Sequence, residues 1–205
     1  MFSTFKNQLI NQLKSETMKR NILTLAIAVL VSMSTAFSQG DSKLVNKAGH
    51  ISFFSHTTLE DITANNYKVV STLDKSSGEV VYSVPMQSFE FEKSAMQKHY
   101  NSSKFLDTKQ FPKAKFKGMI ADISAIDFSK DGVYNADVKG ELTLHGVTNK
   151  ISEKGTVTVS GNIVTINAKM NIMLADYKVA FEKGKPSTNI AKMVEATIIT
   201  EFKPE

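Results

Sequence analysis

Ala136-Asp137-Val138-Lys139-Gly140-Glu141-Leu142-Thr143-Leu144-His145-Gly146-Val147-Thr148-Asn149-Lys150-Ile151 is the stretch that decides the fold. From Ala136 to Leu144 every second residue is apolar or glycine, and Asp137, Lys139, Glu141 and Thr143 between them are polar. A period of two belongs to a strand whose two faces meet different surroundings. His145-Gly146-Val147-Thr148 then supplies a tight turn, and a second alternating run follows. The stretch predicts a β-hairpin.

The same rhythm runs outward in both directions. Strands are expected at Ile51 to Ser55, Lys68 to Leu73, Glu79 to Val84, Phe116 to Ser124, Val133 to Leu144, Lys150 to Val159, Asn162 to Leu174 and Met193 to Phe202. Turn-forming clusters separate them, at Asp74 to Gly78, Ser129 to Gly132 and Ser160 to Asn162, so neighbours in sequence should be antiparallel neighbours in space. Only Phe91 to Tyr100, with Glu92, Lys93, Ala95, Met96, Gln97 and Lys98, reads as a short helix. The loop after it ends at Pro112, ahead of the strand near Phe116. The chain is therefore all-β, an antiparallel eight-stranded sheet with one short helix, in a sandwich or barrel rather than βαβ units.

Three strands show which face is buried. Val138, Leu142 and Leu144 share a face with Ala136 and Gly140; Val164, Ile166, Met170 and Ile172 share one with Ala168 and Leu174; Val194 and Ile198 share one with Ala196 and Phe202. One consistent apolar face implies a single sheet curving around an interior. Eight closed strands are about wide enough to fill with their own side chains or to hold one small ligand, and alternation leaves that choice open. The expected lining is aliphatic and thioether-rich, with Met170 and Met193 or Met119 as adaptable contacts and few aromatics, which suits a flexible hydrocarbon better than a flat polar ligand.

Ahead of the strands stands an export leader. Lys19 and Arg20 precede the uncharged run Ile22 to Ala36, too short for a membrane span, and Ala36-Phe37-Ser38 offers a cleavage site that would leave Gln39 first. Residues 1–38 are read as a signal peptide, 1–17 as an over-extended start, 39–48 as a flexible mature N-terminus and 49–205 as the barrel domain. The leader holds four of the 25 basic residues and one of the 20 acidic ones, leaving 21 against 19. So balanced a charge gives no reason to expect nucleic acid. With no cysteine there is no disulfide, lipid-modified Cys anchor or thiolate metal site. The mature protein is expected to be soluble and periplasmic, without stable membrane insertion.

Two phrases carry a resemblance: His99-Tyr100-Asn101-Ser102-Ser103-Lys104-Phe105-Leu106-Asp107-Thr108-Lys109-Gln110-Phe111-Pro112-Lys113-Ala114-Lys115-Phe116-Lys117-Gly118, then Gly140-Glu141-Leu142-Thr143-Leu144-His145-Gly146-Val147-Thr148. Together they resemble the YceI family over residues 49 to 203. The resemblance implies an exported bacterial protein with a lipocalin-like antiparallel barrel that holds a polyisoprenoid chain inside. Family members usually open with a longer first phrase, whereas this chain offers Gly49 to His56 before a compact Thr57 to Asn66 stretch. A shortened or rerouted N-terminal part that narrows or opens one end of the barrel is therefore expected, with a bearing on the ligand more than on the fold.

Chemistry has less support. His50, His56, His99 and His145 lie in separate segments without metal-binding spacing, and no nucleophile elbow or phosphate loop is present. A catalytic reading would rest on His99 or His145, and each reads better as a turn, surface or structural residue. His145 sits at a hairpin corner, where it can bond the turn or cap the barrel mouth. Lys104, Lys109, Lys113, Lys115 and Lys117 are either a solvated edge or, beside Phe105, Phe111 and Phe116, a basic rim for an acidic head group. The expectation is a binding protein, not an enzyme and without metal or cofactor, carrying a small amphiphilic lipid on Val138, Leu142, Leu144, Val164, Ile166, Met170, Ile172, Val194 and Ile198. The alternative is a solid-core barrel acting as an envelope-stress or surface-interaction protein. A homodimer is left open.

Overall fold

The structure is a computed structural model, and it describes residues 42–57, 60–179, 181–182, 185–186 and 191–203. The expected leader, its expected cleavage site and most of the Lys183 to Asn189 loop lie outside the described residues. Ser42 onward forms one compact unit.

Among the described residues eleven strands and one α-helix follow one another: β1 (Lys43–His56), β2 (Asp61–Asp74), β3 (Glu79–Pro85), β4 (Glu90–Phe91), α1 (Ser94–Asn101), β5 (Lys113–Ile120), β6 (Gly132–Leu144), β7 (Val147–Ser160), β8 (Ile163–Met173), β9 (Phe181–Glu182), β10 (Lys185–Pro186) and β11 (Met193–Phe202). Going round the sheet, β1, β11, β8, β7, β6, β5, β3 and β2 are neighbours, and β1 pairs with β2 to close it. All pairings are antiparallel, which makes a closed eight-stranded barrel with β4 as an extra strand on β2. The eight expected strands are these eight. Two-residue β9 and β10 pair separately.

The deciding hairpin is β6–β7. Its register runs without interruption from Gly132↔Val159 to Leu144↔Val147. His145 and Gly146 make the connection at φ 50° and 75°, the doubly positive backbone of a two-residue turn that suits twisted strands.

Four expectations are corrected. The mature N-terminus is not flexible through residue 48, since β1 begins at Lys43. Nor is the N-terminal part shortened: β1 and β2 are 14-residue strands paired from Lys43↔Asp74 to His56↔Asp61. The polar-rich start of β1 hides in a sequence, because its order comes from pairing with β2, with β11 joining only from His50 onward. Phe91 belongs to β4 rather than the helix, and the strand from Lys113 ends at Ile120 in a short turn at Ile123–Ala125.

The meander gives the barrel two different ends. The β1–β2 turn, α1 with its loop, the His145-Gly146 turn and the segment after β8 all fall at one end. The other end carries the remaining turns and is packed solid around Val69, Leu73, Val159 and Phe202, none more than 2% exposed. Helix α1 is held across its end by Gln97, whose side chain donates to the Phe89 carbonyl at 2.8 Å. The loop after α1 folds around fully buried Thr108, whose hydroxyl donates to Asn101 Oδ1 at 2.7 Å. That pair explains why the Tyr100 to Phe111 phrase needs its small polar residues: they replace the hydrogen bonds that a strand would have supplied.

Candidate functional site

The half of the barrel beneath α1 encloses a cavity of about 670 Å³, inside the roughly 300–1,000 Å³ range of small-molecule sites. Its walls come from alternate residues of the barrel strands, among them Ile51, Val80, Ala136, Leu142, Ile166, Met170 and Ile198. Its roof is aromatic. Phe53, Phe89, Phe91, Tyr100 and Phe105 line it, and the ring of Tyr100 lies 4.9 to 6.3 Å from the other four. The interior is therefore not a uniformly packed core. It combines a dry floor with an apolar chamber.

Of the nine residues expected to face a ligand, Val138, Leu142, Leu144, Ile166, Met170, Ile172, Val194 and Ile198 line this chamber. Val164 does not. It lies one step too far along β8, opposite Phe202, and is buried in the floor. Met119 and Met193 are 43% and 45% exposed, because the alternation that sends Val194 inward sends Met193 outward. The aromatic roof was not expected. Its residues come from β1, β4, α1 and the loops around them, and only the one end of the barrel that they share brings them together.

The basic rim is also misplaced. Lys104, Lys109, Lys113, Lys115 and Lys117 are exposed and none borders the chamber. On β5 the inward positions are Ala114 and Phe116, so Lys113, Lys115 and Lys117 must face water. Lys117 pairs with Glu79 at 2.8 Å. The charged residues at the chamber are Glu60, Lys93, Glu153 and Lys154. Lys93 reaches Glu60 at 2.6 Å across the end of the barrel, and that hydrogen bond raises the Lys93 pKa.

His145 is a structural residue of the turn. Its Nδ1 lies 3.1 Å from the Tyr177 carbonyl, and its ring stands edge-on to Phe111 at 4.6 Å. A carbonyl only accepts, so Nδ1 carries the proton. His99 lies at the chamber's edge against Phe105. His50 stacks on Tyr67, and His56 pairs with Asp61. The four histidines stay apart, and among the described residues no three His, Asp or Glu side chains gather as a metal site.

Residues 38–202 match the family model of the YceI-like domain. The chain belongs to the YceI-like family. A UPF0312 protein of Pseudomonas putida strain W619 is 31% identical over 119 residues, 56% of each chain. One of Pseudomonas fluorescens strain Pf-5 is 41% identical over 64 residues, 31% of each. The chain thus spans about half the length, or less, of the curated relatives it matches. Among solved structures, a polyisoprenoid binding domain from Saccharophagus degradans implicated in plant cell wall breakdown superposes with a TM-score of 0.67 at 15% identity, over 80% of this chain and 99% of that one. Burkholderia cenocepacia BcnA gives 0.62 at 18% identity, over 75% and 95%. These likenesses are of fold.

Within this YceI-like barrel the few polar atoms in the interior stand out. Among the described residues the hydroxyls of Ser71, Tyr82, Tyr100 and Thr200 are buried with no partner in good hydrogen-bonding geometry, although the Tyr82 and Thr200 hydroxyls lie near each other. Burial pushes the Tyr82 phenol up to about 12, with the nearby Thr200 hydroxyl opposing, and raises Tyr100 well above the usual tyrosine value. Both phenols stay protonated in the fold while the unfolded chain ionises them near pH 10. The Tyr82 contribution is complete below about pH 10 and is lost as pH rises toward 12, and Tyr100 acts in the same direction. Tyr82→Phe should therefore shrink the alkaline loss of stability, and at pH 7 it should be neutral or about 1 kcal/mol stabilising, since it removes an unpaired buried hydroxyl. Urea midpoints at pH 7 and pH 11 measure both effects. A clear loss at pH 7 would mean that the hydroxyl is bonded after all.

Proposed function

We propose that this chain is an exported binding protein that holds the hydrocarbon part of an amphiphilic lipid, of the polyisoprenoid class, inside its barrel and carries it without chemical change. One observation carries the reading: an apolar chamber of about 670 Å³, roofed by five aromatic rings and walled by eight of the nine aliphatic and thioether side chains named from the sequence. Burying a flexible chain there gains roughly 25 cal/mol per Å² of apolar surface. The kinship of fold with a polyisoprenoid binding domain points the same way. Val138, Leu142, Leu144, Ile166, Met170, Ile172, Val194 and Ile198 are the proposed chain contacts, and no side-chain group is asked to react.

Lipid extraction and native mass spectrometry of protein purified from the cell envelope test the reading. A co-purifying amphiphile of several isoprene units is expected. The chamber should accommodate the ring of Ile166→Trp, so that the fold survives while the lipid is lost. Protein that carries no lipid and takes up none when offered would overturn the proposal. Export has its own check: the mature chain should begin at Gln39, and a secreted product retaining residues 1–38 would refute the cleavage site.

A further inference from the structure

We infer that the lipid passes through a side window between β7 and β8, and that an acidic, oxygen-rich head rests in this window while the hydrocarbon chain lies inside; the inference rests on the lipid-binding reading above. The pairing of β7 with β8 runs from Ser160↔Ile163 only to Gly155↔Ala168 and stops. Both strands continue. β7 stays paired to β6 as far as Val147, and β8 to β11 as far as Met173. Residues 150–154 and 169–173 thus face each other across a gap, and among the described residues no hydrogen bond joins them.

The gap is bounded at both ends. Beyond it, Asn149 Nδ2 donates to the Asp176 carbonyl at 2.9 Å, beside the His145 contact to Tyr177, and ties the segment after β8 back to β7. At its base the strands are pinched together at Gly155, where a Cβ would stand 2.7 Å from the Asn167 carbonyl oxygen. The chamber reaches the outside here. Glu153 faces inward, yet Lys154 and Thr156, which alternation turns outward, border the same chamber. The axial end, by contrast, is crossed by α1 and by the Lys93–Glu60 pair.

What the window offers a ligand follows from its edges. Strand edges left unpaired present backbone N–H donors, and Lys150 and Lys154 are exposed and make no salt bridge among the described residues. Asp137 and Glu141 stand opposite them on β6, and Lys169 is held by Glu195 at 2.7 Å. Glu153 faces the same opening, and burial raises its pKa. Free N–H groups and two unpaired ammonium groups suit a phosphate or carboxylate, which accepts several hydrogen bonds at once.

The native absence of cysteine makes the test direct. Ser152→Cys and Asn171→Cys place one thiol on either side of the window, both at exposed positions, and Ser94→Cys places one at the axial end, exposed on α1 and outside the chamber lining. Each is labelled with a bulky maleimide and mixed with parinaric acid, a fluorescent polyene acid. Labels at 152 or 171 should slow uptake about tenfold or more relative to the unlabelled variants, and the label at 94 should not. Lys154→Ala should weaken parinaric acid about fivefold and leave its methyl ester unchanged. Slowing only by the label at 94 overturns the window as doorway, and equal effects of Lys154→Ala on acid and ester overturn the placement of the head. Wild-type protein that binds neither probe would instead overturn the lipid-binding reading itself.

Discussion

Gly140→Val is expected to leave the protein largely unfolded, and even Gly140→Ala should cost at least the upper end of the roughly 1–3 kcal/mol of an overpacked site. Gly140 is paired directly with Gly118 on β5. A Cβ on Gly140 would stand 2.4 Å from the Lys117 carbonyl oxygen, 2.5 Å from the Gly118 Cα and 2.7 Å from the Phe116 ring. Two of those three atoms are backbone in a strand paired on both sides, so no rotamer change relieves them. The third explains why the glycines are there: the Phe116 ring lies over the pair and forms part of the chamber wall. Valine adds two more carbons to the same clash, and a loss above about 4 kcal/mol is a large share of a domain's stability. Urea unfolding measures it. Phe116→Leu should fail to rescue Gly140→Ala, because the backbone contacts remain; a full rescue would show that the ring alone enforces the glycine.

Residues 136 to 151 were legible because a strand's pattern is local. The polar partners of Ala136 to Leu144 fix their faces, and the turn chemistry of His145-Gly146 fixes their register. Applied to β8 and β11, the same rule found the chamber's walls. It was not applied to Lys113, Lys115 and Lys117, or to Met119 and Met193, where one step of alternation puts each outside. The lysines stand beside aromatic residues in the sequence, and nearness in sequence says nothing about which face of a strand a residue takes.

Other features had no local signal at all. Phe53, Phe89, Phe91, Tyr100 and Phe105 meet only because the closed barrel brings β1, β4 and α1 to one end. The window is harder still to read. Nothing in the alternation of β7 or β8 changes at Gly155, yet the two strands part there, because each has a second partner that keeps its own direction. Val164 shows the complementary limit: its face was read correctly and its height in the barrel was not. Alternation tells inside from outside, and the division between floor and chamber depends on where every neighbouring strand begins and ends.

That division predicts unequal costs for similar truncations. Phe202→Ala should destabilise the protein by about 3–5 kcal/mol, as expected for deleting a large ring from a closed core. Phe202 is 0% exposed and stands opposite Val164, in the floor with Val159 and Leu73. No neighbour there borders open space, so the lost ring leaves a void that its rigid surroundings cannot close. Met170→Ala removes a side chain of comparable reach from the same barrel, but Met170 is half-buried and already borders the chamber. It creates no new cavity and gives up only part of its apolar burial, so its cost should stay near 1 kcal/mol. Lipid affinity should respond the other way, falling with Met170→Ala and holding in Phe202→Ala measured below its unfolding temperature. Paired urea titrations with and without bound lipid test both halves of the argument. Equal losses of stability would mean that the half beneath α1 collapses around Met170 in solution, and a collapsed chamber has no room for a hydrocarbon chain.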